Sequence, residues 1–361
     1  MVVRSLLAGM ALAVVSVVFA GCSPARYQGP VSDHFDGKRF HNADPFPHGF
    51  SDLLSYMLRR ERIVWSRDDT LPPSPRPAPR MARGELRITW VNHSTLLLQA
   101  DGLNLLTDPI WSERASPVSF AGPQRHHPPG IAFDELPSID VVMISHSHFD
   151  HMDFPSLRRL QKVHDPLFVV PLGNRTLLTP LGIDNVIELD WWQDVELANG
   201  CRLSAVEVKH WSNRRVLPSD QNLSLWSGFV LETTGGPVYF GGDSGYGEHY
   251  RETHKRYGQM RAAMLPIGAY LPRWFMAYQH MGPDEAVVAH SELQSQFSLG
   301  VHWGAFKLSP ERRFQAVERL QVLSAAGVIP VGEFIAPTPG TPYDVPPLEA
   351  TESEPHVTRC H

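Results

Sequence analysis

The run H-S-H-F-D-H, residues His146 to His151, follows the apolar stretch Val141, Val142, Met143, Ile144. Three imidazoles and a carboxylate packed into six residues do not suit an apolar core, where every buried polar group needs a partner. The residues that follow define the local chain. Asp153 is a good N-cap, Pro155 suits the first helical turn, and Leu157, Leu160 and Val163 recur at helical spacing. The cluster therefore lies on a loop between a buried strand and a helix, where a rigid sheet commonly carries functional side chains. Alternate residues of an extended backbone share a face, so His146 and His148 point the same way. Asp150 and His151 follow at the turn, with space for a second cation beside a first. We read the cluster as the floor of a metal site.

The remaining composition narrows what kind of site this is. Three cysteines, Cys22, Cys201 and Cys360, lie far apart with no C-x-x-C pair, so nitrogen and oxygen must hold any metal. Eighteen histidines are available for it. With 361 residues, 42% hydrophobic and 19% charged, the chain can bury a sizeable core. A formal net charge of -6 gives no basic footprint, and no nucleic-acid partner is expected.

At the amino terminus Arg4 and Ser5 precede an apolar stretch from Leu6 to Phe19, closed by Ala20, Gly21 and Cys22. This is the layout of a secretory signal, and the apolar part is short for a membrane span. The ending F-A-G-C resembles a bacterial lipobox. That resemblance implies a signal peptide over 1–22 and a lipidated Cys22 that holds the protein on the extracytoplasmic side of the envelope, at the periplasmic face of the inner or outer membrane. Residues 23–84 are expected to be a tether and N-terminal extension. Within it, Phe50, Leu53, Leu54 and Met57 predict a short amphipathic helix packed on the domain surface, with Arg59, Arg60 and Arg62 as a solvated basic edge. The proline-dense Leu71 to Pro79 is a connector. Residues 85–336 form the folded domain, and 337–361 read as a loose tail.

Inside the domain, Leu86 to Val91, Ser94 to Gln99 and Leu103 to Pro109 read as an antiparallel meander. His93 and Asp108 can reach a site, with a hydrogen-bonding supporting role expected for each. Strands are predicted at 139–145, 167–171, 186–189 and 202–209, a hairpin across Gly235-Gly236, and strands at 262–267 and 297–302. Helices are expected around 175–181, from Pro283 to about Leu293, and over 311–325 with Phe314, Val317, Leu320 and Leu323 inward. Three further polar residues each close an apolar run: His210, Asp243 between glycines in G-G-D-S-G, and His302. Their placement makes them candidate partners of the first cluster.

Several longer stretches carry a more specific resemblance: L-T-D-P-I-W-S-E-R-A-S-P, I-S-H-S-H-F-D-H-M-D, I-E-L-D-W-W, K-H-W, G-D-S-G-Y, P-I-G-A-Y-L-P-R-W-F-M-A-Y-Q-H-M-G-P-D-E-A and V-H-W-G. Together they resemble the metallo-β-lactamase fold superfamily, and within it the N-acylphosphatidylethanolamine-hydrolysing phospholipases D. The resemblance implies an α/β fold, an αββα sandwich of two mixed β-sheets flanked by helices. It implies a two-zinc site, with His146, His148 and His210 on one ion, Asp150, His151 and His302 on the other, and Asp243 bridging. Other divalent transition metals suit the same ligands. Asp243, Asp150 and His280 then serve catalysis by a metal-bridging hydroxide, since zinc lowers the pKa of bound water to about 7. His280, in Q-H-M-G-P, would contact the phosphate or protonate the leaving alcohol. A hydrophobic acyl channel is implied, for which Tyr270, Leu271, Trp274, Phe275 and Met276 are the candidates.

The expected activity is a phospholipase D-type hydrolysis of an N-acylphosphatidylethanolamine-like phospholipid to phosphatidic acid and an N-acylethanolamine. The same ligands would also serve another hydrolase of this fold, such as a lactonase. A third reading is a non-catalytic envelope lipoprotein that binds lipid or metal; the full ligand set speaks against it.

Overall fold

The computed structural model describes residues 27–349 except 60, 62, 69, 72–73 and 215–219. The signal peptide and lipid-anchor reading of residues 1–22 lies outside the described residues. Helix α1 (Phe50–Arg59) precedes the domain. The first sheet opens with β1 (Leu86–Asn92), β2 (Thr95–Ala100) and β3 (Leu103–Thr107), paired antiparallel as the meander expectation required. It continues in parallel through β4 (Val141–Met143), β5 (Leu167–Pro171) and β6 (Val186–Leu189), with α2 (Phe154–His164) and α3 (Arg175–Leu178) as crossovers.

The second sheet mirrors this plan. Strands β7 (Asp194–Glu196), β8 (Arg202–Val206), β9 (Gly228–Thr233) and β10 (Gly236–Phe240) are antiparallel. After α4 (His249–Tyr257), strand β11 (Ala262–Pro266) joins β10 in parallel. Helices α5 (Arg273–Met276) and α6 (Pro283–Glu292) lead to β12 (Ser298–Val301), and α7 (Gln315–Ala325) leads to β13 (Phe334–Ile335). Finally β14 (Pro342–Asp344) returns to the first sheet beside β1. Each sheet has seven strands and both are mixed. No described helix is long and apolar enough to cross a membrane.

Strand periodicity accounts for the layering. Along β2, β3 and β5, Leu96, Leu98, Leu105 and Val169 join the cluster shared with Leu203, Phe229, Tyr239 and Met264 of the second sheet. The alternate residues Leu97, Leu106, Phe168 and Val170 face the other way, onto Leu157 and Leu160 of α2. With both faces covered, the strands are near-continuous apolar runs, as expected for sheet buried on both sides. The αββα expectation holds.

Several local expectations do not. Residues 27–48, read as a tether, pack against the domain: Phe35 and Phe40 are buried with Trp191, Val208, Leu225 and Trp226. Two aromatic side chains supply the burial without any periodicity in the sequence around them. The tail expected to be loose from 337 is tied in, at least as far as it is described. Arg87 Nε bonds Asp344 Oδ1 at 2.7 Å beside the β1–β14 pairing. Helix α1 forms, but its apolar stripe is not packed: Leu53, Leu54, Met57 and Leu58 are exposed. Tyr56 docks, stacking on Phe275 at 4.7 Å. Phe314, expected inward, is exposed, as is Val163, which recurs at helical spacing with the buried Leu157 and Leu160. Helices α4 and α5 were not expected; the sequence of α4, HYRETHKRY, is too polar to show a periodic stripe.

Arg261 secures the C-terminal strand. This buried guanidinium donates from Nη2 to Val345 O at 2.6 Å and Gly84 O at 3.0 Å, and from Nε to Pro346 O at 3.0 Å. Arg261→Ala leaves three carbonyls without their charged donor and opens a cavity. A loss of roughly 2–4 kcal/mol in urea unfolding is expected. A loss below about 0.5 kcal/mol, as for an ordinary surface substitution, would show that the strand is held by something else.

Candidate metal centre

The strand ends converge on one buried cluster. Leaving β4, His146 and His148 meet with Nε2 and Nδ1 2.7 Å apart, and His210, beyond β8, brings its Nε2 to 3.3 Å from the same His148 nitrogen. Donor atoms of these three histidines all lie within 4.8 Å of one another. A second group on the same scale comprises His93, Asp150, His151 and His302. Between the two groups lies Asp243, beyond β10. Its Oδ2 is 3.2 Å from His151 Nε2, 3.1 Å from His302 Nε2 and 3.8 Å from His210 Nε2. The structure thus brings all seven expected metal-site residues together.

Close backbone approach makes this possible. Gly242 has a φ of 56°, and a Cβ there would sit 2.5 Å from Ser145 Cβ. A Cβ at Gly268 would sit 2.0 Å from the carbonyl oxygen of His302. Only glycine permits these contacts.

Neighbouring groups aim the rings. Asp108, fully buried, accepts from Ser145 N at 2.7 Å, Ser145 Oγ at 2.6 Å and His151 Nδ1 at 2.7 Å. With Nδ1–H committed, the lone pair of His151 Nε2 is directed into the cluster. His210 Nδ1 likewise donates to Gln279 O at 2.9 Å. Asp108 is therefore a supporting group, as its position at the end of β3 suggested. His93 touches Asp150, with Nε2 2.8 Å from Oδ2.

Several buried atoms in the cluster have no hydrogen-bond partner: His148 Nε2, His280 Nδ1 and Asp243 Oδ1. Unmet buried polar groups cost about 1–3 kcal/mol each, and a convergent set of them fits a cation. Imidazole and carboxylate without thiolate suit zinc or a similar divalent ion. Burial holds His148 down to about 3 and His210 to about 4, and His146 well below its ordinary value, so these rings are neutral donors. Burial also opposes charge on His151 and His302. There the carboxylates win: Asp243, Asp150 and Asp108 push His151 well up, and Asp243 and Asp150 raise His302 to about 9. Those two protons are what an incoming cation must displace.

His280 borders the cluster. Its buried Nδ1 is 3.8 Å from Asp243 Oδ2, and its ring lies 5.3 Å from those of His210 and His302. The main chain is fixed by Arg273, whose Nη1 donates to His280 O at 2.8 Å while Nη2 bridges to Glu285. The acyl-channel expectation narrows. Phe275 and Met276 are buried packing residues with Ala269, and Tyr270 belongs to the main core. Only Trp274 is exposed, and with Leu271, Pro272, Pro310 and Tyr56 it lines a cavity of about 210 Å³. Aromatic spacing alone does not distinguish a wall from a core.

Two supporting residues escaped sequence reasoning. The half-buried Arg214 donates from Nη1 to Met152 O at 2.6 Å and Ser147 O at 3.1 Å, clamping the loop that carries the cluster. It lies over the rings of Phe149 and Phe154 at 4.2 and 3.9 Å. Burial lowers it only to about 9, so it stays charged at neutral pH. Asn42, in the stretch read as a tether, accepts from His210 N at 3.2 Å and donates to Val208 O at 2.9 Å. Phe149 within the cluster and Phe154 after it were a usable signal for Arg214; nothing in the sequence singles out Asn42.

Comparison with known proteins agrees with this geometry. The family model described as the β-lactamase superfamily domain matches residues 103–303. An uncharacterised protein of Mycobacterium tuberculosis is 36% identical over 330 residues, 87% of this chain and 84% of that protein. The N-acyl-phosphatidylethanolamine-hydrolyzing phospholipase D 1 of Caenorhabditis elegans is 34% identical over 295 residues, 76% of this chain and 82% of that protein. Among solved structures, the isothiocyanate hydrolase from Delia radicum gut bacteria superposes with a TM-score of 0.57 at 19% identity, covering 71% of this chain and 98% of that one. By matched domain, fold and relatives, the chain belongs to the metallo-β-lactamase superfamily and is a metal-dependent hydrolase.

Proposed function

We propose that the cluster holds two zinc ions and that the protein is a phospholipase D-type phosphodiesterase. Its substrate would be an N-acylphosphatidylethanolamine-like phospholipid, released as phosphatidic acid and an N-acylethanolamine. The observation that carries the reading is two donor groups meeting at Asp243, with His280 beside them, in a chain 34% identical to a phospholipase of that name. His146, His148 and His210 would hold one ion, Asp150, His151 and His302 the other, with Asp243 shared. When bound, the pair supplies Lewis acidity toward a phosphoryl oxygen and water acidic enough to ionise near neutral pH. The chain's own part is orientation. Asp108 and Gln279 O fix which imidazole nitrogen faces inward, and the buried walls keep bulk water from competing. His280, beside the cluster, is placed to contact the phosphate or pass a proton to the departing alcohol oxygen; burial holds its ring well below its ordinary value, so that proton depends on the negative charge a bound phosphodiester brings.

The decisive measurement is a panel of phosphodiester lipids, with lactones and amides as controls, given to zinc-loaded protein. Headgroup release from N-acylated phosphatidylethanolamine, lost on chelation and reduced at least about 100-fold in Asp243→Asn, is expected. Lactone or amide opening without headgroup release would sink the phospholipase reading, and full activity in Asp243→Asn would reject the site. His280→Ala should lower kcat by about 10²–10⁴ as a lost general acid does. The defect should shrink for an aryl phosphodiester, whose leaving group needs no proton; an equal loss on both substrates would rule out proton donation.

We further propose that Cys22 is lipidated and holds the enzyme at the extracytoplasmic face of a bacterial envelope membrane, bringing it close to a lipid substrate. Labelled palmitate should enter the wild-type protein in cells and fail to enter Cys22→Ser. Equal labelling of both would exclude the anchor.

A further inference from the structure

His93 sits in the turn between β1 and β2, 1% exposed, with a φ of 48° that residues other than glycine rarely adopt. Its surroundings hold it there from three directions. The carbonyl accepts from His302 N at 3.0 Å and from the indole Nε1 of Trp90 at 2.8 Å. The ring Nε2 is 2.8 Å from Asp150 Oδ2. That oxygen also faces His151 Nε2 at 3.2 Å and His302 Nε2 at 3.4 Å. On either side in sequence, Asn92 Nδ2 donates to Ile110 O at 3.0 Å and Thr95 Oγ1 to Asp108 O at 2.7 Å, tying the turn to the strand end that carries Asp108.

One residue thus contacts two expected ligands by two different routes, Asp150 through its ring and His302 through its main chain. Both belong to the same half of the cluster. The other half has supports that do not involve His93: Ser145 Oγ, 2.9 Å from His146 Nδ1 and itself bonded to Asp108, and Gln279 O on His210. A histidine present only for packing would not explain a left-handed backbone and a buried Nδ1 with no partner. Strain of this kind persists where the surroundings impose it, and it concentrates at functional sites.

We propose that His93 is a positioning residue for the Asp150–His151–His302 half alone, prearranging it for its ion while leaving the His146–His148–His210 half independent. The inference rests on the two-ion centre proposed above. The ring donates Nε2–H to Asp150 and orients the carboxylate oxygen toward the space shared with His151 and His302. The carbonyl of the same residue anchors the His302 main chain.

The full chain, as wild type and as His93→Ala, His93→Asn and His93→Gln, would be stripped, reloaded with zinc and dialysed against a competing chelator. Metal per chain is then counted by mass spectrometry, with thermal unfolding of each stripped protein in parallel. Wild type should keep two ions. His93→Ala should keep about one, with an unfolding midpoint close to that of stripped wild type. His93→Asn tolerates a left-handed backbone but is too short to reach Asp150, and should also keep about one. His93→Gln places an amide N–H near the position of Nε2 and should regain part of the second ion. Where the second ion is lost, kcat should fall with little change in KM. Retention of two ions by His93→Asn or His93→Ala overturns the proposal, as does equal loss of both ions together with destabilisation of the stripped protein. About one ion or fewer in wild type would reject the two-ion centre itself, and the role of His93 with it.

Discussion

The buried carboxylate of Asp108 shows in one residue what the site requires. It accepts three hydrogen bonds, two from Ser145 and one from His151. Burial pushes its carboxyl up while the His151 charge pulls the other way. The bonds fix the start of the loop beyond β4 and turn the free nitrogen of His151 toward Asp243. Without such a partner the ring could rotate, and a lone pair aimed at random would not help to bind an ion. Gln279 O on His210, from the loop between α5 and α6, and His93 on Asp150, from the β1–β2 turn, repeat the device.

The rest of the sandwich serves that requirement. Two seven-stranded sheets pack through one shared core, and the loops bearing the cluster leave the ends of β4, β8, β10 and β12. Because these strands are buried on both faces, their ends are rigidly placed, which makes contacts of about 3 Å between remote segments reproducible. Gly242 and Gly268 then remove the atoms that would keep the segments apart.

Charge balance is the other half of the problem. Asp150 and Asp243 are held well below the ordinary carboxylate range: burial opposes this, and the charges of His151 and, at Asp243, His302 outweigh it. The same carboxylates keep His151 and His302 protonated against burial. A divalent cation satisfies both sides at once, taking the imidazole lone pairs and countering the carboxylates. Arg214 supplies a fixed positive charge behind the loop, lying over two aromatic rings.

Much of this was legible in the sequence. Alternating or continuous apolar runs marked most of the strands, Asp153 and Pro155 marked the start of α2, and H-S-H-F-D-H, His210, Asp243 and His302 each stood at the end of an apolar run. These are local signals, because a residue's place on a strand or in a turn depends mainly on its near neighbours. What the tertiary structure decided was pairing across long separations. Phe35 and Phe40 are buried only because Trp191 and Trp226 come to meet them. Asn42 matters only because His210 lies against it, and β14 exists only because the edge of β1 is free to pair. Phe275 and Met276 looked equally suited to a channel or a core until Tyr56 stacked over Phe275 and Ala269 closed against the pair. The sequence by itself determined which residues had chemistry to offer and at which strand ends. Only the fold decided which of them meet, because a contact between residues a hundred positions apart is set by the packing of whole sheets and leaves no periodic trace along the chain.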